Sequence, residues 1–449
     1  MYYREPVTRS PAVPSRGFGN GMAVAYLCRD DLDEKALDSI ARFCARSDVD
    51  LLVHDDSTSQ ESRLRVKEFV DQLSSKYRKD IRVLRRSICA GGKPGAVNHI
   101  IEHLGSGIDY LLLCDSDSYL VGAHILDHAL PLLDDPLVGL VQFRNIGYLN
   151  ATDSSGYRIL AKSVDFYDAF VSFMDRYGWS PFLGHNALIR VSACREVGGF
   201  SAGQFADDID FSIKLRLAGY SVRYARAAVC GERHPLSYAA LRRRTAKWAF
   251  GCTQIFLKWT TSILTSQRLS FFEKISFFLT VGYYHFQALL LLYLGIFYLL
   301  LPFDRSGAVG TESLLTSAGL ILLLTFLPSI TYFIQRGKIA DWPKTAACWG
   351  FTYGSQDFVV LRAITRCLLR GSMFWIPTNT PDAPPGPFPF LYEVSFGVLV
   401  VAVAALKRPV LLLLPTTALF AGKFLVTPWL DLWMFRRRGA QFTEKVVSS

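Results

Sequence analysis

Short apolar runs alternate with charged amphipathic stretches over the first 270 residues, and long uncharged runs dominate from Ile275 onward. Ala23–Cys28 predicts a first strand, Leu32–Ala45 a helix, and Asp50–Val53 a second strand closed by His54, Asp55 and Asp56. A charged helix follows over Gln60–Tyr77, then a strand at Ile81–Leu84. The loop Ala90–Gly95 (AGGKPG) opens a helix through His103. Leu111, Leu112, Leu113 and Cys114 form a run apolar on both faces, as in a strand buried inside a parallel sheet. This strand–helix alternation predicts an α/β domain on a doubly wound, Rossmann-like parallel sheet. Beyond it, Leu183–Ile189 reads as a strand and Val197–Phe200 as a tight turn. Ile209, Ile213 and Leu217 mark one face of a helix that stops at Gly219, and Leu241–Phe250 begins a basic, aromatic helix.

The uncharged runs predict an α-helical transmembrane bundle behind that domain. About 20 apolar residues span a bilayer, and four stretches qualify, near 275–303, 313–335, 388–406 and 409–430, the third carrying Glu393 at its start. Between the second and third spans, over 340–387, Arg362, Arg366 and Arg370 recur at i, i+4, i+8 opposite Val359, Ala363, Ile364 and Cys367. That is the pattern of an interfacial amphipathic helix. An even number of spans and the Arg436–Arg438 cluster place both termini in the cytoplasm. The expected layout is a loose arm over 1–20, a cytoplasmic α/β domain over 21–265, a membrane domain over 266–435 and a basic tail over 436–449. The protein would be integral to the cell membrane.

Composition sharpens this layout. The 449 residues are 50% hydrophobic, and the formal net charge of +10 gathers near the apolar runs. Membrane lipids and anionic substrates suit that distribution; a nucleic-acid groove does not. The nine cysteines contain no C-x-x-C pair, which agrees with reduced thiols in a cytoplasmic domain.

The candidate chemistry lies where strands end. Asp115-Ser-Asp117 terminates a buried strand at the carboxyl edge, where open α/β sheets bind ligands. Residues two apart on a strand point to one side, so the two carboxylates converge and suit Mg²⁺ or Mn²⁺ carrying a diphosphate. Asp55, Asp56 and Lys93 fall on the same edge. Asp207 and Asp208 start the helix ending at Gly219, as caps or as a general base at a pocket mouth. Arg244 and Lys247 share a helix face beside Trp248. They suit a leaving diphosphate and a stacked sugar equally with a helix lying on headgroups. His285 and Gln287 inside the first span either meet a translocated polar chain or bond within the bundle.

In order and approximate spacing, these residues resemble the membrane-integrated family 2 glycosyltransferases, which include cellulose synthase, hyaluronan synthase and the periplasmic glucan glucosyltransferases. The matching series is Asp55-Asp56, Lys93 in GGKPGAVNH, Asp115-Ser-Asp117, Ala206-Asp207-Asp208 for T-E-D, and Arg244-x-x-Lys247-Trp248 for Q-x-x-R-W. The resemblance implies a GT-A-type domain in which Asp55 or Asp56 contacts the nucleotide base. By the same likeness Lys93, Asp115, Asp117, Arg244 and Lys247 hold the donor, with the metal at Asp117 and Asp115. Asp208 becomes the general base. Asp207 and Trp248 go to the acceptor, with His185 and Asn186 from the LGHNALIR stretch, which is similar to the periplasmic glucan enzymes. The implied activity is inverting, metal-dependent transfer from a nucleotide-diphospho-sugar, expected to be a UDP-sugar, to a growing β-linked polysaccharide, coupled to export through an unnamed partner or the spans themselves. A lipid acceptor, giving a glycolipid, is the alternative; a nucleotide-binding membrane sensor is the non-enzymatic one.

Overall fold

The computed structural model describes residues 21–121, 124–150, 153–161, 164–176 and 179–300, together with 316, 319, 342–373, 390–407 and 415–435. The chain begins β1 (Met22–Cys28), α1 (Glu34–Ser47), β2 (Asp50–Asp55), α2 (Gln60–Tyr77), β3 (Ile81–Leu84), α3 (Gly92–His103), β4 (Tyr110–Cys114) and β5 (Ser118–Leu120). It continues α4 (Ile125–Ala129), β6 (Val138–Gly147), α5 (Ser155–Ala161), α6 (Val164–Asp175), β7 (Ala187–Arg190), α7 (Val191–Glu196), α8 (Asp207–Ala218), β8 (Ser221–Glu232) and α9 (Tyr238–Thr265).

All seven residues of β1 are buried, because the sheet carries a core on each face. Met22, Val24, Tyr26 and Cys28 pack with α1, α2 and α4, whereas Ala23, Ala25 and Leu27 pack with α3, α7 and α8. Local chemistry sets the helix starts: the Asp33 carboxylate accepts from the Lys35 and Ala36 amides, and the Ser59 hydroxyl from Ser62.

The sheet runs β3-β2-β1-β4-β7-β6-β8-β5. Its first four strands are parallel, as the sequence pattern predicts. The second half is mixed, which departs from the expected all-parallel sheet: β7 is antiparallel to both β4 and β6. The strand expected at Leu183–Ile189 begins only at Ala187. Gly184 (φ +93) and Asn186 (φ +50) hold the preceding residues in a loop, a backbone region that favours glycine and asparagine.

The helical part comprises α10 (Phe271–Leu300), α11 (Trp342–Gly354), α12 (Asp357–Leu368), α13 (Leu391–Lys407), α14 (Pro415–Leu425) and α15 (Thr427–Phe435). Among the described residues one helix, over Phe271–Ile296, is long and apolar enough to cross a membrane, where four spans were expected. Apart from residues 316 and 319, the expected span at 313–335 lies outside the described residues. The third forms a 17-residue helix, α13. The fourth is broken at Val426 into α14 and α15, since Pro428 has no N–H to give the Phe424 carbonyl.

The amphipathic helix forms as α12, but its apolar face packs on α9 and α10 through Val360, Ala363, Ile364, Ala249, Phe250 and Ala288. Lipid is not needed to cover it. His285 is bonded at both ring nitrogens, to the Thr253 hydroxyl (3.1 Å) and the Val281 carbonyl (3.0 Å). Gln287 donates to Asp357 Oδ1 (2.6 Å), and Lys423 pairs with the other oxygen of that carboxylate. Both polar groups of the first span are thus engaged inside the bundle.

Helix α9 joins the two parts, and Gly251 sets how closely. A Cβ at Gly251 would stand 2.6 Å from the Ala206 backbone nitrogen, at the start of α8. Gly251→Ala should therefore push α9 away from α8 at a cost of about 1–3 kcal/mol. A lower thermal unfolding midpoint for Gly251→Ala, set against no drop or a small rise for Gly282→Ala, which meets no atom within 4 Å and gains helix propensity, checks this.

Candidate active site

Parallel strands deliver their carboxyl ends to one edge, and here each of three ends in acid: Asp31 after β1, Asp56 after β2, and Asp115 and Asp117 after β4. The far half of the sheet adds Glu232, Arg233 and His234 from the end of β8. These residues line a cleft of about 860 Å³ that continues past Asp207, Asp208, Lys247 and Trp248 to Thr280, Tyr284 and Tyr353 of the helical part.

The cleft concentrates negative charge and then counters it. Lys93, from the first turn of α3, reaches Asp115 at 2.6 Å. Burial opposes the Asp115 carboxylate, but Lys93 and His185 hold it below its ordinary value. Asp117 is different. Burial, with the Glu232, Asp115 and Asp31 carboxylates, pushes it up to about 7 against the pull of His185. His185 stands 3.7 Å from Asp115 and 3.5 Å from Glu232. Burial disfavours its charged form, yet Glu232, Asp115 and Asp117 raise it to about 9. Asp31 accepts from the Ser116 hydroxyl and the Arg29 amide; burial still raises it to about 6.

Asp207 and Asp208 face this cluster from α8. Neither is its cap: Ala206 occupies that position, and no side-chain bond caps the helix. Asp208 Oδ1 accepts from the Ile209 amide at 2.8 Å, and burial raises its pKa. Asp207 Oδ2 is buried with no hydrogen-bond partner among the described residues. Burial and Asp208 raise Asp207 to about 6, with Lys93 and Lys247 pulling the other way. A Cβ at Gly184 would stand 3.3 Å from Asp208 Oδ2 and 3.7 Å from Lys93 Nζ. The glycine thus leaves room in which lysine and aspartate meet the cleft. Burial lowers Lys247. The Arg244 guanidinium lies 4.6 Å from the Trp248 ring and 3.3 Å from His234.

Of the residues the sequence singles out, Asp56, Lys93, Asp115, Asp117, His185, Asp207, Asp208, Arg244, Lys247 and Trp248 all line the cleft. Asp55 and Asn186 do not. Asp55 is buried behind the wall, bonded to the Ser57 amide and to Arg85. Asn186 is wholly buried and donates to Asn145 Oδ1 at 2.9 Å, one residue from His185. It shapes the loop without lining the cleft. Sequence reasoning passed over Asp31, Glu232 and His234. The rule that found Asp56 and Asp115, acid just past an apolar strand, also finds Asp31 in AYLCRDD and reaches Glu232 past the shorter run Ala227–Cys230.

The model for "Glycosyl transferase family group 2" matches residues 110–335, half of the chain. "Probable glucomannan 4-beta-mannosyltransferase 1" of Arabidopsis thaliana is 27% identical over 247 residues, 53% of this chain and 44% of that protein. "Probable glucomannan 4-beta-mannosyltransferase 11" of Oryza sativa subsp. japonica is 24% identical over 334 residues, 66% and 57% of the two chains. The chain thus spans about half the length of the curated relatives it matches. Among solved structures, the mannosyltransferase PcManGT from Pyrobaculum calidifontis, in complex with GDP-Man and Mn²⁺, is similar over 78% of this chain and 88% of that one. The TM-score is 0.49 and the identity 16%. The family match opens at Tyr110, the first residue of the strand that ends in Asp115 and Asp117. This chain belongs to glycosyl transferase family group 2.

Proposed function

We propose that the protein is an inverting membrane glycosyltransferase that moves a sugar from a nucleotide-diphospho-sugar, a UDP-sugar, onto a growing β-linked polysaccharide. The observation that carries this reading is the placement of Asp115–Asp117 and Asp207–Asp208 on one cleft, with Lys93 close to both pairs. The first pair suits a donor and the second an acceptor. The names of the plant relatives, which specify β-mannosyl transfer, support a β-linked product.

Asp208 takes the proton from an acceptor hydroxyl as that oxygen attacks the anomeric carbon from the side opposite the leaving diphosphate. Asp207, whose Oδ2 lacks a partner among the described residues, accepts a second acceptor hydroxyl and orients it. Arg244 and Lys247 face the departing diphosphate, and Trp248 offers its indole to an acceptor sugar. Burial and the surrounding carboxylates lift Asp117 to about 7, an environment that a divalent cation relieves. Hard carboxylate oxygens suit Mg²⁺ or Mn²⁺ at Asp117 and Asp115. When bound, the ion neutralises charge on the diphosphate. Helix α10 anchors the enzyme in the cell membrane with the GT-A domain in the cytoplasm. The cleft reaches Thr280 and Tyr284 of that helix, so the acceptor end opens toward the bundle, as export of a polymer or capture of a lipid acceptor requires.

Chelation separates the metal's contribution. EDTA should abolish transfer, and Mg²⁺ or Mn²⁺ should restore it; full activity in EDTA contradicts the role given to Asp115 and Asp117. Asp208→Asn should keep donor binding while kcat falls by about 10²–10⁴, with a smaller loss for Asp207→Asn. Because burial raises Asp208, the base is lost by protonation on acidification. The acid limb of the pH–rate profile should lie above the ordinary aspartate value of about 3.9 and disappear in Asp208→Asn. Product length decides between acceptors. With purified enzyme and a panel of nucleotide sugars, a ladder of long oligomers while most acceptor stays unused supports a polysaccharide synthase. Arrest after one or two sugars on a lipid assigns glycolipid synthesis instead.

A further inference from the structure

The nucleotide end of the cleft contains an ion pair whose geometry limits which base it can read. Asp56, 6% exposed, lines the cleft at the end of β2. Arg86 is not among the lining residues, yet it grips that carboxylate edge-on. Its Nε donates to Oδ1 at 3.1 Å and its Nη2 to Oδ2. In such a fork two parallel N–H groups use the two lone pairs that face the same way. The guanidinium is itself fixed, donating to the Ala90 carbonyl at 2.6 Å and the Gly92 carbonyl at 3.1 Å. Those carbonyls lie just before and at the start of α3, beside Lys93. His54 Nδ1 stands 3.7 Å from Asp56 Oδ1.

With its chelating edge filled, Asp56 keeps one outward lone pair on each oxygen, and the two diverge. A nucleobase can then give this carboxylate a single N–H. Guanine offers two adjacent parallel donors, N1–H and N2–H, which need the edge Arg86 occupies. Uracil offers one, N3–H, between two carbonyls. We infer that Arg86 makes the site selective for uridine over guanosine diphosphates by occupying the Asp56 edge that guanine would bind. This rests on the donor reading above, in which Asp56 contacts the base. Arg86 acts through Asp56 and is a positioning residue; it does not touch the nucleotide. Sites built around a buried polar group discriminate strongly against a base that leaves that group mismatched.

Calorimetric titration of the detergent-purified full chain with UDP and with GDP, each with Mg²⁺ and no sugar, tests this. UDP should bind at least about tenfold tighter. Arg86→Ala frees the edge, and GDP should then bind within about threefold of UDP, or better. Arg86→Lys keeps the charge but cannot form the fork, so it too should lose the preference; it decides the matter if Arg86→Ala does not fold. Thermal midpoints near wild type show that a variant is folded. A wild-type preference for GDP, or equal affinity, overturns the inference while leaving nucleotide-sugar transfer standing. An unchanged UDP preference in a folded Arg86 variant also overturns it. Binding of neither nucleotide to the wild type sinks the inference together with the donor reading beneath it.

Discussion

The site depends on holding like charges together at the edge of a buried sheet. Burial, with repulsion from Glu232, Asp115 and Asp31, lifts Asp117 to about 7. A cluster of that kind persists only where opposite charge is built in among it. Lys93 supplies it at Asp115, and a buried His185 supplies it between Asp115 and Glu232. The backbone serves this arrangement. Gly184 leaves space beside Lys93 and Asp208, and Asn186, in the left-handed region, turns the chain so that His185 enters the cleft.

The catalytic and helical parts meet through one element. Helix α9 carries Arg244, Lys247 and Trp248 near its start, passes the Asp207–Asp208 turn at Gly251, and packs lower down against α10 and α12. Arg242, two residues before Arg244, pairs with a buried Glu393 at the start of α13 at 2.6 Å. Asp210 ties α8 back to the same helix through Lys258 and Trp259, each at 2.7 Å. Arg244, Lys247 and Trp248 are thereby set in register with the helices that α9 packs against.

How much of this was legible follows from how each residue signals itself. The first four strands were plain because each is a short apolar run, and three of them end in acid. Strands β6 and β8 were not. Register shifts break the ladder between Val138 and Leu140 and again between Phe143 and Arg144. In β8, Arg223 and Arg226 interrupt the apolar pattern because they pair with Asp175 and Asp168. Glu232 was passed over with its strand. Sequence left Asp55 and Asp56 equivalent; neighbouring strand residues point to opposite faces, and the partners Arg85 and Arg86 decide which faces the cleft. The amphipathic pattern of α12 was read correctly as a helix, but periodicity does not say whether lipid or protein covers the apolar stripe.

The shared core around α9 has a practical consequence for anyone wishing to isolate the catalytic half. A fragment ending at Thr265 would contain every charged group that lines the cleft. It would also bare Phe250, Cys252, Ile255 and Ile263, which in the whole chain lie against Phe277, Val281, Val360 and Ile364. Such a stripe, uncovered in water, collects detergent or a second copy of itself. The α/β part shares its core with α10 and α12, so truncation at Thr265 should yield an aggregate where a soluble fragment was sought.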